Sequence, residues 1–504
     1  MFVPDSCLVD EAARDAVAKA AARRPTGPAL ITGETTLTWS DVDRRVTAAA
    51  HRIAGLVSPG GRVAIVLGTS IEFVVTYFGV LRSGRVAVPL NPAYSEDELE
   101  FAITDSAAEL IVAEADGPGR VRPQFDLDSD GPAGDLPQVK ARDLAVLLYT
   151  SGTSGRPKGA MLTHAALDAN HDQLDAIEPP VVGADDVVLL AVPLFHAYGL
   201  NTGLGSVAHH AGTGVLIDHF DPAASLAVIA ERGVTVVVGV PGMYSAWSRQ
   251  PGVEVALRSV RSGVCGAAPL VPDEMARFGV ATGKTIVVGY GLTETAPVLT
   301  TTAVSDRGKP GSIGRPLPGV SLRLRSPAGQ VLWEDGTASP EDDLAELDLS
   351  VEDVAGTDPG EIVVRGANLF SGYWPDGRGG PGPDGWWATG DIAYADADGD
   401  LHLVDRVDDL ILVHGFNVYP AEIERVLASH PGVAESAVLG VPDDESGQRP
   451  HAFVVAAIDP PPTPAELQVY CAAHLARFKL PTVELVRELP HSATGKVRKR
   501  ELLS

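Results

Sequence analysis

The sequence predicts an α/β protein. It reads as a large N-terminal domain of parallel-rich α/β sheets plus an antiparallel β subdomain, with a small α+β C-terminal domain. Three observations carry this. Short apolar strand runs alternate with helix-length segments from about residue 9 to 145, and again from 180 to 300. Strands separated by helices of that length need crossover connections, which build a mostly parallel sheet. Between Ser321 and Val404 the pattern changes to apolar–polar alternation, the mark of antiparallel strands with one wet face. Beyond Asp405 a shorter strand–helix rhythm resumes. At 504 residues the chain exceeds one ordinary domain.

The elements follow in order. Glu11 to Arg24 is Ala-rich and helical, and Leu37-Thr38-Trp39-Ser40-Asp41 opens a capped helix. Arg62 to Leu67 is a buried strand closed by Gly68. Ile71 to Arg82 is a helix, Val86 to Leu90 a strand, Ser95 to Thr104 a helix with an acidic first turn, and Leu110 to Ala113 a strand. Val187 to Val192, Val215 to Ile217, Val234 to Val240 and Thr285 to Val288 are strands buried on both faces. Ser321 to Arg325, Glu361 to Arg365 and Leu401 to Val404 alternate with period two. In the C-terminal part Leu410 to Val413, Ala437 to Val441 and Ala452 to Val455 are strands, while Pro420 to Glu424 and Pro464 to Ala476 are helical. The boundary is placed at Asp405/Arg406, giving domains 1–405 and 406–504.

A composition of 45% hydrophobic and 21% charged residues is globular. A net charge of −27 argues against binding nucleic acid or an anionic membrane surface. No apolar run reaches spanning length, and the N-terminus lacks the basic start and apolar run of a signal peptide. The three cysteines, Cys7, Cys265 and Cys471, are too few and too scattered for a disulfide frame or a zinc cluster. A cytoplasmic location is expected. The acidic stretch from Glu334 to Pro359 reads as a solvated surface insertion, with a regulatory role as the alternative.

The strongest chemical signal is Leu148-Tyr149-Thr150-Ser151-Gly152-Thr153-Ser154-Gly155-Arg156-Pro157-Lys158-Gly159. Glycines admit phosphate oxygens to backbone N–H groups, hydroxyls donate further bonds, and lysine offsets charge. The spacing is not that of a Walker loop, and a flexible surface turn is the plain alternative. Glu294, after a Tyr-Gly turn, suits Mg²⁺ beside a phosphate loop or simply starts a helix. Asp391, after Trp387, is able to accept two bonds from a ribose diol or to make an ordinary Gly-Asp turn. Lys496 lies in a basic C-terminal run that includes Arg498, Lys499 and Arg500, which read as a solvated tail.

The 148–159 loop resembles the signature of the adenylate-forming (AMP-binding) superfamily, which includes acyl-CoA synthetases, carrier-protein adenylation domains and firefly luciferase. Further family segments follow in the family's order: Pro193 to Gly199, Gly289 to Thr295, Gly385 to Asp391, Asp405 to Asp409, Gly415 to Glu424, and Ser492 to Lys496. The resemblance spans nearly the whole chain. It implies that Thr150, Ser151, Gly152, Thr153, Ser154, Gly155 and Lys158 cradle phosphate, and that Gly289, Tyr290, Gly291 and Thr293 hold adenine and the α-phosphate. It also implies that Glu294 ligates magnesium, that Asp391 and Arg406 hold the ribose, and that Lys496 bridges the substrate carboxylate and the α-phosphate. The catalytic set is then Lys496, Glu294, Thr293 and His196, with His196 lining the acyl pocket rather than acting as a general base. The C-terminal domain is mobile in the family, with its hinge at Asp408, and the thiol enters by a tunnel near Gly415.

The implied activity is acid–thiol ligation. A carboxylate attacks the α-phosphorus of ATP, pyrophosphate leaves, and a thiol then displaces AMP. ATP, Mg²⁺ and coenzyme A are the implied cofactors. The relatives' acyl pocket maps to His196, Val240, Gly266, Ala267, Gly289 and Ser312, which are mostly small or apolar and suit a hydrophobic tail. No aspartate stands between Phe195 and Gly199 for an α-ammonium, and no arginine is evident for a second carboxylate. A medium- or long-chain fatty acid leads. An aryl acid is the alternative substrate, an acyl carrier protein is the alternative acceptor to CoA, and the expected assembly is a monomer or homodimer.

Overall fold

A computed structural model describes residues 12–114, 120–121, 135–150, 157–268, 272–305, 308–335, 356–406, 409–413, 416–443, 447–491 and 497–503. Contacts divide the chain into two compact units: Met1–Ser321 with Arg365–Trp387, and Leu322–Val364 with Ala388–Ser504. The domain boundary expected at Arg406 falls inside the second unit, so it remains a proposal about the mobile part.

The first unit holds the two parallel-rich sheets. In the smaller one, Arg62–Val66 pairs in parallel with Val86–Pro89 and Ala108–Ala113, and Val86–Pro89 pairs with Leu144–Thr150. Lys158–Thr163 closes its edge antiparallel to Leu144–Thr150. In the larger one, Val187–Leu190, Thr213–Leu216, Val236–Gly239, Ser262–Cys265 and Ile286–Gly291 are parallel, as is the first strand Pro28–Thr32. Val298–Thr301 and Ser312–Pro316 then turn antiparallel. The apolar runs are buried on both faces, as parallel strands covered by helices must be.

Local signals explain the helices. Thr38 caps Trp39–Leu56 in a reciprocal box with Asp41, and Ser95 does the same with Glu98 for Glu96–Asp105. Helix Ile71–Arg82 buries Phe73, Val75 and Val80 completely, each worth about 1.5–3 kcal/mol. Its Gly79 lets it approach Trp39–Leu56 closely, since a Cβ there would sit 2.7 Å from the Cβ of Ala49. Arg82 locks the same layer, bonding Asp15 at 2.7 and 2.9 Å and Asp43 at 2.7 Å.

In the second unit, the strands Val331–Glu334, Ser321–Arg325, Gly360–Arg365, Trp387–Ala395 and Leu401–Arg406 lie side by side. Leu322 and Leu324 are fully buried while Arg323 and Arg325 are half-buried, which is the alternation read from the sequence. A separate five-stranded sheet includes Gly447–Ala456, paired antiparallel to Val433–Asp443 and parallel to Thr482–Val486. Helices Pro420–Ala428 and Pro464–His474 seal its core at Ile423, Leu427, Leu467 and Cys471. The α/β class with an antiparallel part and a small α+β module is as the sequence predicts. Among the described residues no helix is long and apolar enough to cross a membrane.

Two expectations about local structure need correction. Lys158 is the first residue of a strand paired with Thr150, not part of the loop; once Pro157 ends the loop, the apolar 159–162 run adds to the sheet edge. Lys499 is not a solvated tail, because its ammonium sits 2.7 Å from Glu424 and this pairing holds it protonated despite burial.

Candidate active site

The carboxyl ends of the parallel strands in the first unit carry several of the expected site residues. Strands 187–190, 236–239, 262–265 and 286–291 are adjacent; the segments leaving the first three hold His196, Val240, Gly266 and Ala267, and Gly289 lies near the end of the fourth. Open α/β sheets bind ligands just beyond such strand ends.

Glu294 is placed by a tight reversal. Ile286–Gly291 leads into a single 3₁₀ turn, Thr293–Thr295, and the chain returns as Val298–Thr301. Gly291 is obligatory here, because a Cβ would fall 1.7 Å from the Pro297 carbonyl oxygen. The Thr295 hydroxyl accepts from Leu292 N–H at 2.9 Å and donates to Pro297 O at 2.6 Å, pinning the turn from inside. The Glu294 side chain is buried, and its Oε1 accepts a 2.7 Å bond from the Tyr373 hydroxyl. Thr293 and Tyr290 beside it are half-buried.

Buried amides hold this reversal from below. Asn201 Nδ2 donates to Ala296 O at 2.7 Å, Asn368 Nδ2 to Thr295 O at 2.7 Å, and Asn170 Nδ2 to Val298 O at 2.8 Å. Gln173 Nε2 donates to Asn368 Oδ1 at 3.1 Å, and His171 Nε2 bonds Asn201 Oδ1 at 3.0 Å. Sequence reasoning missed Tyr373 and all of these amides. Their signal was present but unspecific: polar residues on helices and loops that only the fold buries.

His196 is half-buried, and its Nε2 is buried without a hydrogen-bond partner. Burial pushes its imidazole down to about 4, so it is neutral near pH 7. That suits a wall of a pocket better than a proton acceptor. A Cβ on Gly266 would meet the Tyr198 ring at 3.2 Å and Gly289 O at 3.3 Å, so these three positions adjoin. Tyr198 is buried, and its hydroxyl donates to Val264 O at 3.1 Å. Ala267 takes a left-handed φ of 68°. The buried Ser312 hydroxyl is turned to its own strand, accepting from Gly314 N–H at 2.8 Å.

In the second unit Asp391 lies within strand Trp387–Ala395, in register with Arg406, rather than in a turn after Trp387. Gly390 beside it takes a left-handed φ of 76°. The Arg406 guanidinium bonds the buried Asp391 carboxylate at 2.9 Å, and its Nε is buried with no partner. Asp405 accepts N–H bonds from Arg406 at 2.8 Å and Ala421 at 2.9 Å, tying strand Leu401–Arg406 to helix Pro420–Ala428.

Ser151, Gly152, Thr153, Ser154, Gly155, Asp408, Gly415 and Lys496 lie outside the described residues. Thr150 and Lys158, which flank the loop, face each other across a strand pair, and the Lys158 ammonium stands 5.2 Å from the Tyr373 ring centre. His491 and Val497, which flank the Lys496 segment, form an antiparallel bridge.

Glycine-lined strand ends beside the buried Glu294 carboxylate make a candidate ligand site of an open α/β sheet. Residues 17–374 match the AMP-binding enzyme family and residues 422–496 the AMP-binding enzyme C-terminal domain. A feruloyl-CoA synthase from an Amycolatopsis species is 37% identical over 95% of this chain and 96% of its own. A long-chain-fatty-acid–CoA ligase from Bacillus subtilis is 31% identical over 96% and 92%. Among solved structures, ATP-bound MatB from Rhodopseudomonas palustris gives a TM-score of 0.85 at 30% identity, covering 97% of this chain and 98% of that one. The O-succinylbenzoate coenzyme A synthetase of Bacillus subtilis, in complex with ATP and magnesium ion, gives 0.82 at 27%, covering 97% and 99%. The chain belongs to the AMP-binding enzyme family, within the adenylate-forming superfamily. It is an AMP-forming acid–CoA ligase.

Proposed function

We propose that this chain converts an aryl acid of the cinnamate type to its CoA thioester. The observation that carries the choice is Tyr198. Its buried ring packs against Gly266 at the strand end, where Gly289 O also adjoins, and the buried Tyr244 shares its acceptor, each hydroxyl donating to Val264 O, at 3.1 and 2.8 Å. In this reading a flat, short acyl group would suit such a floor, whereas a long alkyl tail would need a channel through it. The 37% identity to a feruloyl-CoA synthase, against 31–33% to fatty-acid ligases, supports the same choice. A medium- or long-chain fatty acid is the second reading, favoured by those ligases and by the apolar Val240 and Ala267.

In this reading the acid's carboxylate oxygen attacks the α-phosphorus of ATP. The bond from that phosphorus to the bridging oxygen breaks, and pyrophosphate leaves. The thiolate of coenzyme A then attacks the acyl carbon, and the bond to AMP breaks. A buried carboxylate oxygen such as that of Glu294 is the hard donor Mg²⁺ requires, and the ion would offset phosphate charge there. Tyr373 orients that carboxylate. Asp391 would accept from the ribose hydroxyls, with the unpartnered Arg406 Nε as an added donor. Thr150 to Lys158 would neutralise phosphate, and Lys496 would bring cationic charge to the carboxylate and α-phosphate. Positioning and electrostatics supply the rate. Residues 406–504 would move about Asp408 between the half-reactions, with the thiol arriving near Gly415.

Acid-dependent ATP–pyrophosphate exchange across hydroxycinnamates, benzoates and fatty acids of graded length tests this. A hydroxycinnamate should lead in kcat/KM, and Tyr198→Ala should shift preference to longer acids. A fatty acid leading by tenfold in the native chain would overturn the aryl reading. Product mass with CoA against a phosphopantetheinyl carrier protein identifies the acceptor.

A further inference from the structure

In the first unit, the C-terminal ends of helices His164–Asp175 and Ser206–His210 bring together a carboxylate and two imidazoles that the proposed reaction does not use. His209 Nε2 lies 2.9 Å from Asp175 Oδ2, and His210 Nε2 lies 3.1 Å from Asp175 Oδ1. One donor atom from each residue falls within 4.8 Å of the others. The rings are held in place: His209 stacks on the buried His171 with centroids 5.0 Å apart and planes 20° apart, and His210 stands edge-on to His209 at 4.9 Å. The Asp175 side chain is 38% exposed and the two histidines are 19% and 18% exposed, so the cluster is open to solvent.

The placement of Asp175 calls for a cation. It is the last residue of its helix, where the helix dipole is negative, and that last turn has no basic residue. Of the nearby cations, Arg14 bonds both oxygens of Asp172 at 2.5 and 2.8 Å and Arg23 donates to the His209 carbonyl at 3.5 Å. Two imidazole nitrogens and one carboxylate oxygen with an open face are the donor set of a borderline divalent ion. Tetrahedral coordination at roughly 2.1 Å separates neighbouring donor atoms by about 3.4 Å. The two short contacts are to different oxygens of Asp175, and one donor atom from each residue lies within 4.8 Å of the others, so rotation of these three solvent-facing side chains has to bring the set to that spacing. Two nitrogen donors also disfavour Mg²⁺, which demands oxygen, so this site would not compete for the ion the reaction uses.

We propose that Asp175, His209 and His210 form a binding site for a divalent transition-metal ion of the zinc class, with solvent completing its coordination. Bound there, the ion joins the ends of the two helices. The test uses the metal-stripped full chain titrated with Co²⁺, followed by Zn²⁺ competition and thermal denaturation. One equivalent of Co²⁺ should give the intense visible absorption of tetrahedral nitrogen–oxygen coordination, and Zn²⁺ should displace it. Zn²⁺ should raise the thermal midpoint, and Mg²⁺ should not. His210→Asn and Asp175→Asn should each weaken Co²⁺ and Zn²⁺ binding at least tenfold, and neither should change acid-dependent pyrophosphate exchange. If either variant fails to fold, His209→Gln provides the same comparison. Equal affinity in variant and native chains, or only the faint spectrum of aqueous Co²⁺ in both, would overturn the proposal.

Discussion

Replacing Tyr373 with phenylalanine isolates one hydrogen bond at the candidate magnesium site. The tyrosine hydroxyl donates to Glu294 Oε1 at 2.7 Å, and Glu294 is only 7% exposed. Phenylalanine keeps the ring, and with it the edge contact to Phe370 at 5.0 Å and the face presented to Lys158 at 5.2 Å. The 2.9 Å bond from Phe370 N–H to Glu294 O also survives, so the backbone stays in place. What is lost is a hydrogen bond to a charged, buried acceptor, worth about 1.5–3 kcal/mol. If Glu294 holds Mg²⁺ through a carboxylate that Tyr373 orients, the loss appears in metal-dependent steps. At 1.4 kcal/mol per decade it corresponds to roughly a 10- to 150-fold fall in exchange activity at limiting Mg²⁺. The assay is ATP–pyrophosphate exchange titrated with Mg²⁺, with urea unfolding in parallel. A wild-type Mg²⁺ dependence in the variant would refute the orienting role. A loss of exchange that excess Mg²⁺ does not relieve, tracking a loss of global stability, would refute it equally.

Other expectations concern separate groups. Asp391→Asn removes the anion from Arg406 and, if Asp391 holds the ribose as proposed, one of its acceptor oxygens; the KM for ATP should then rise about tenfold or more, with a stability loss of about 1–3 kcal/mol in urea. Lys496→Ala should abolish adenylation while sparing thioester formation from supplied acyl-adenylate, and equal loss in both half-reactions would remove its assigned role. Asp408→Pro should do the reverse, and unimpaired thioester formation there would refute the hinge. Stability should fall in acid, because burial holds His164 at about 4 and His171 at about 3, both below the free imidazole value of 6.5. The unfolded chain therefore binds more protons than the native one between pH 6.5 and these values, and stability is lost as pH falls through that window. At pH 5 each histidine contributes about 2 kcal/mol of destabilisation relative to pH 7. Asp168, raised to about 6 by burial, acts in the opposite sense and offsets about 1 kcal/mol or more. Urea unfolding from pH 7 to 4.5 checks the net sign; stability that is flat or rising toward acid would refute it.

Much of the fold was legible because its signals are local. Helix Ile71–Arg82 begins and ends where the sequence predicts, since Ser70 caps it and an apolar run specifies it. The parallel strands were readable as short doubly buried runs bounded by helices. Helix Pro464–His474 came within two residues of its predicted end. Edges were harder to read. Lys158 looked like loop because it follows a Gly-Pro-rich run, and its strand identity depends on partners such as Thr150 that lie eight residues away. Asp391 looked like a turn because Gly390 precedes it, and only pairing with Leu401–Arg406 makes it a mid-strand residue.

The sequence by itself determined the family and the order of its chemical segments, and it supplied the residues proposed for phosphate, ribose and metal chemistry, because those functions demand particular side chains in short linear runs. The tertiary structure alone decided which residues hold those groups in position. Asn170, Asn201 and Asn368 are distant in sequence from the carbonyls they satisfy at 295–298, and Tyr373 is distant from Glu294. Nothing in their own neighbourhoods marks them. Only the packed fold removes them from water, and burial is what turns an ordinary amide or phenol into a partner the site depends on.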